Sequence, residues 1–81
     1  MKSKLKIRER KLAVHNALGL YWHGMNLIEI DPRLKAKKFL NTLLHECLHH
    51  CIPSASEAKV SRIAGTLTEA AWRKGFRRIA E

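Results

Sequence analysis

Residues 37–51 read KKFLNTLLHECLHHC. Apolar side chains recur at Phe39, Leu40, Leu43, Leu44, Cys47, Leu48 and Cys51, the spacing of an amphipathic helix. With His45 set at 0° and about 100° per residue, these seven fill roughly the arc from 120° to 300°. On the same wheel His49 falls at about 40°, Thr42 at about 60° and Glu46 at about 100°. The spacing therefore predicts a helix with one broad core face and an opposite polar, water-facing arc that carries His45, Glu46 and His49.

The flanks set its limits. Asp31-Pro32 reads as an N-cap followed by a first-turn proline, so the helix is expected to start there. Pro53 ends it, because Ile52 before a proline is pushed out of the α region. In SASE (54–57), Ser54 or Ser56 can cap a second helix expected to run to about Arg77.

Upstream, GLYWHGMNLIEID (19–31) reads as a hairpin turning at His23-Gly24-Met25-Asn26. Leu27 and Glu29 should face one way, and Ile28 and Ile30 the other. KLKIR (4–8) alternates as a short half-buried strand would, and residues 10–17 stay open between helix and loop. The expected architecture is α+β, a small β-sheet of an N-terminal strand plus a hairpin, packed on two antiparallel helices. Its 81 residues should form a single small domain, 1–81, with a basic N-terminal segment, 1–11. At that size the hydrophobic core leaves a thin stability margin, and a bound metal would widen it.

An apolar fraction of 46% argues against disorder. No apolar run approaches the ~18 residues of a membrane span. The basic start MKSKLKIRERKLAV has no apolar stretch after it and does not read as a secretory signal, so a cytoplasmic location is expected. The net charge of +9 favours a polyanionic partner such as nucleic acid through counterion release, although a merely solubilising surface would have the same composition. The basic residues cluster at Lys2, Lys4, Lys6, Arg8, Arg10 and Lys11, at Arg33, Lys35, Lys37 and Lys38, and at Arg73, Lys74, Arg77 and Arg78. Cys47 and Cys51, four apart in one helix, read as small buried hydrophobes rather than a disulfide. Trp72 and Phe76, also four apart, read as a packing pair.

His45, Glu46 and His49 form H-E-x-x-H, a pattern that shuffling this composition yields about twice in a hundred trials. Placement adds weight. Histidines packed in the core would lie on the leucine arc, and these do not. Two imidazoles one helical turn apart can share a Zn2+ ion, with the carboxylate after the first placed to take a proton from water. His50, at about 140° on the wheel, borders the core and reads as a helix C-terminal charge rather than a ligand.

A hydrolytic zinc site has three protein ligands and one open position. No histidine follows residue 50, which leaves Glu57, Glu69 and Glu81. On the second helix the apolar residues Val60, Ile63, Ala64, Leu67, Ala70 and Ala71 form a stripe with Glu57 at its edge, while Glu69 lies with Arg62, Thr66 and Arg73 towards solvent. Antiparallel packing across about five linking residues would set Glu57 beside His49. A capping box with Ser54 competes for the same carboxylate.

At LIEIDPRL, KKFLNTLLHECLHH, SEAKVSRIA and AAWRKGFRR, across about 27–78, the chain resembles the small zinc-metallopeptidase-like proteins often encoded by bacteriophages. These are relatives of the minimal zincins that include SprT-like and ImmA/IrrE-like domains. The resemblance implies a minimal zincin-like fold, with His45 and His49 as zinc ligands, Glu46 as catalytic base and Glu57 as an acidic third ligand of the ImmA/IrrE type. It departs from the SprT pattern, whose third ligand is a downstream histidine. It also implies a peptide or protein substrate, added to the edge strand before the active helix, here NLIEI (26–30). The expectation is a zinc metallopeptidase, host-cytoplasmic if phage-encoded. A small basic nucleic-acid-binding protein with a structural zinc is the alternative.

Overall fold

The computed structural model describes residues 4–12 and 17–79. The elements run β1 (Lys6–Glu9), β2 (Gly19–Trp22), β3 (Leu27–Ile30), α1 (Ala36–Cys51) and α2 (Glu57–Arg73), an α+β fold as the patterning requires. Residues 13–16, within the stretch left open between helix and loop, and Glu81 lie outside the described residues.

The hairpin closes where expected. Trp22 pairs with Leu27, the Met25 amide donates to the Trp22 carbonyl at 3.2 Å, and Gly24 and Asn26 take the positive φ values of 82° and 49° that the turn needs. The strand order corrects one expectation. It is β1-β3-β2, with β1 parallel and β2 antiparallel to β3. NLIEI is therefore the central strand, hydrogen-bonded on both sides, and cannot receive an added chain. Among the described residues the edges are β1 and β2.

On the inner face, Ile28 and Ile30 bury against Phe39, with Tyr21, Leu43 and Cys47 packed around them. This is the leucine arc of α1 meeting the sheet. Of the two helices, α1 packs on the sheet, through β2 and β3, and α2 lies on α1. The helices are antiparallel: Lys37 near the start of α1 pairs with Glu69 near the end of α2, while His49 meets Glu57 at the opposite end.

The outer face holds a feature that the alternation conceals. Leu27 and Glu29 do share a face, but both are buried, Glu29 to 1% exposure. Its carboxylate accepts from Arg8 Nε at 3.0 Å, Arg10 Nε and Nη2 at 2.8 Å each, and Trp22 Nε1 at 2.7 Å. Arg8 is its direct register partner on β1. The Arg10 guanidinium foremost, with Trp22 and Arg8, holds the carboxyl at about 2 against the opposing effect of burial. β1 itself is more exposed than a half-buried strand, Ile7 included.

The end of α1 before Pro53 and the Ser56 start of α2 stand where expected, while the other end of each helix shifts. Asp31 is not the cap of α1: its carboxylate accepts from the Leu12 amide at 3.2 Å and from the Arg33 amide and guanidinium at 2.6–3.0 Å. Engaged in this turn, it leaves α1 to begin at Ala36 with no side-chain cap. α2 stops at Arg73, short of Arg77, because Gly75 at φ 85° lets the Gly75 and Phe76 amides fold back onto Trp72 and Ala71. Trp72 and Phe76 thus share no helical face; the Arg77 guanidinium covers the Trp72 ring at 3.5 Å, and Phe76 is exposed. Cys47 and Cys51 are free thiols, Cys51 exposed rather than buried. No helix among the described residues is long and apolar enough to cross a membrane.

A carboxyl held low in the fold contributes stability that is present above its ordinary value near 4.5 and lost as pH falls through about 2. Glu29→Gln should cost about 2–3 kcal/mol at neutral pH, since two guanidiniums lose their buried counter-charge. It should also flatten the acid limb of stability against pH between about 4.5 and 2. Urea denaturation at stepped pH measures both, and a variant as acid-sensitive as the parent would contradict the assignment.

Candidate metal centre

Three of the anticipated side chains come together. His45 Nε2 lies 2.9 Å from Glu57 Oε1, and His49 Nε2 lies 3.2 Å from Glu57 Oε2. The two imidazoles, one turn apart on α1, meet edge to face with centroids 4.9 Å apart. One ligand atom from each of the three residues falls within 4.8 Å of the others, so the group could hold a metal ion. Donors at ~2.0–2.1 Å from a tetrahedral ion lie about 3.3 Å apart, close to both imidazole–carboxylate separations.

The chain positions Glu57 through a five-residue link, 52–56. Ala55 N donates to Ile52 O, turning the backbone, and Ser56 caps α2 by accepting from the Lys59 amide at 3.2 Å. Ser56 rather than Ser54 is the cap, and the Glu57 carboxylate goes to the histidines instead of a capping box. The buried residues of α2 are Val60, Ala64 and Thr68. That face is turned about 60° from the centre of the apolar stripe, which leaves Leu67 exposed and puts Glu57 in line with the contact on α1. Glu69 is excluded from the cluster by its ion pair with Lys37.

The polar arc of α1 is not open to water as expected. Thr42 is buried, and the histidine side chains are only 22% and 21% exposed, against 70% for Glu57. The cover is β2. A Cβ built on Gly19 would stand 2.6 Å from Thr42 Cγ2 and 3.3 Å from Glu46 Cγ, so the strand crosses this arc at a distance only glycine permits. Glu46 is consequently half-buried, and burial pushes its carboxyl above the ordinary range, with the neighbouring histidines opposing the shift.

His50 has a partner the sequence does not announce: its Nδ1 and the Tyr21 hydroxyl are hydrogen-bonded at 2.9 Å, tying α1 to β2. Burial pushes the Cys47 thiol up, away from ligand-like thiolate character. Comparison with family models, with curated proteins and with solved structures finds no match to this chain.

The Gly19–Thr42 contact is open to a double-mutant test. Gly19→Ala should destabilise by about 1–3 kcal/mol through overpacking. Combined with Thr42→Ser, which removes the opposing methyl, part of that loss should return, giving a coupling of about 1 kcal/mol. Additive costs in chemical denaturation would contradict so close an approach.

Proposed function

We propose that this protein is a zinc-dependent hydrolase acting on peptide bonds. The observation that carries the proposal is the convergence of both Nε2 atoms on the two oxygens of Glu57, beside a half-buried Glu46. Two imidazoles and a carboxylate are a donor set suited to zinc with an open fourth position. The likeness of TLLHECLHH to the active helix of minimal zincins points the same way.

Zinc held by His45, His49 and Glu57 would polarise a carbonyl and make water more acidic. Glu46 follows His45 on the helix, so it takes a proton from the attacking water as that oxygen bonds to the carbonyl carbon. It then passes the proton to the amine nitrogen as the C–N bond breaks. A carboxyl raised by burial suits both roles, because its proton affinity lies nearer to working pH. Of the two edge strands among the described residues, β2 is the one that Gly19 brings next to Glu46, so it would receive an extended substrate.

A second reading rests on charge. Five of the described carboxylates, those of Glu9, Glu29, Asp31, Glu57 and Glu69, are engaged with cations or histidines of the same chain. The surplus positive charge therefore stays on the surface, and a polyanion such as nucleic acid would be held by it in a salt-dependent way.

Purified protein should take up one zinc per chain. Glu57→Ala should weaken uptake by more than the ~10–100-fold that loss of an outer partner costs. Glu46→Gln should keep the zinc and lose about 10²–10⁴-fold in peptide hydrolysis. Metal analysis and a quenched-peptide assay decide, and undiminished turnover in Glu46→Gln would remove it as the base.

A further inference from the structure

The metal centre opens into a groove that runs along α1 towards its start. Its floor is Lys38, Asn41 and Thr42, one wall is Gly19 of β2, and the other is Ser61 and Gly65 of α2. Two hollows of about 340 and 360 Å³ make it up, and they run together because Lys38 and Asn41 line both. The first contains His45 and Glu46. A Cβ on Gly65 would meet nothing within 4 Å, so that wall stands back from the floor.

The charges in this groove are unequal. Lys37, at its far end, is neutralised by Glu69 at 2.5 Å. Lys38 has no acidic partner among the described residues, and the nearest carboxylates in the groove are committed elsewhere or half-buried. Thr68, at the same end, is 2% exposed, and its hydroxyl has no hydrogen-bond partner among the described residues. Lys38 and His45 lie two helical turns apart on one face of α1, about 10.5 Å along the axis. An extended peptide covers that distance in about three residues.

We infer that the groove is the substrate channel of the proposed hydrolase, and that Lys38 selects a peptide carrying a carboxylate about three residues from the bond held at the metal. This inference rests on the peptidase reading for the position of that bond, but not for binding itself. The carboxylate is either an acidic side chain or the C-terminus of the peptide, since the ammonium recognises both alike.

The test is binding of labelled octapeptides to the zinc-loaded Glu46→Gln protein, read by fluorescence anisotropy. One pair of peptides carries Glu or Gln about three residues from the centre, and another ends in a free acid or an amide. The acidic member should bind about fivefold more tightly, as expected for one partly exposed ion pair. The pair that shows the preference identifies the source of the carboxylate. Lys38→Glu should abolish or invert the preference without changing zinc content. Lys6→Glu, the same charge change on distant β1, should leave it intact.

Equal binding of acidic and neutral peptides, no binding of either, or a preference lost equally in Lys6→Glu would overturn the inference. Hydrolysis by the wild type is scored separately. A chain that binds zinc and prefers acidic peptides yet cleaves none keeps the channel and refutes the peptidase.

Discussion

The link between the helices is five residues long, and that brevity governs the rest. α2 has no choice but to begin alongside the last turns of α1, and its first residue is a glutamate. Glu57 is thereby delivered to two imidazoles that α1 has already set one turn apart. A longer link would not tie the start of α2 to the last turns of α1. Here Ser56 performs the capping and frees Glu57 for the cross-helix contact.

The sheet also decides placement. α1 contributes its apolar arc to Ile28 and Ile30, which fixes its rotation about its own axis. With that rotation set, Thr42 and Glu46 lie under β2, where Gly19 allows the strand to pass, and the two histidines face Glu57 of α2. The cover takes Glu46 partly out of water, which is the physical origin of its raised proton affinity. On the far face the Glu29 network secures β1 to β3 through two arginines and to β2 through Trp22, so one buried carboxylate clamps all three strands. In a chain this small, ligand binding to the folded state would add stability by mass action, and a tightly held ion would matter more than in a larger core.

What the sequence reveals follows from the range of each interaction. Local periodicity locates the hairpin, both helices and the polar arc of α1, because each depends on neighbours within a turn or a strand. The length of the link points to Glu57 for the same reason. Pairing of β1 with β3 joins segments far apart along the chain, and nothing in either segment marks its parallel register, so the central position of NLIEI stays hidden. Glu29 looks like a solvent-facing charge until Arg8, Arg10 and Trp22 are brought around it. Asp31 and Gly75 are visible as residue types, but their roles are not. Asp31 serves a turn through Arg33 and Leu12, and the stop at Gly75 depends on a positive φ that no pattern in AWRKGFRR announces. The buried side of α2 is turned from its apolar stripe because α1, not the sheet, is what it packs on.

In the proposed function a single cation is shared by His45, His49 and Glu57. Zinc-edge X-ray absorption on protein loaded with one equivalent reads that coordination sphere directly. Nitrogen and oxygen scatterers at ~2.0–2.2 Å, with the outer-shell pattern of two imidazoles, are the expected result. A sulfur scatterer at ~2.3 Å would instead place the ion on Cys47 or Cys51 and contradict the account.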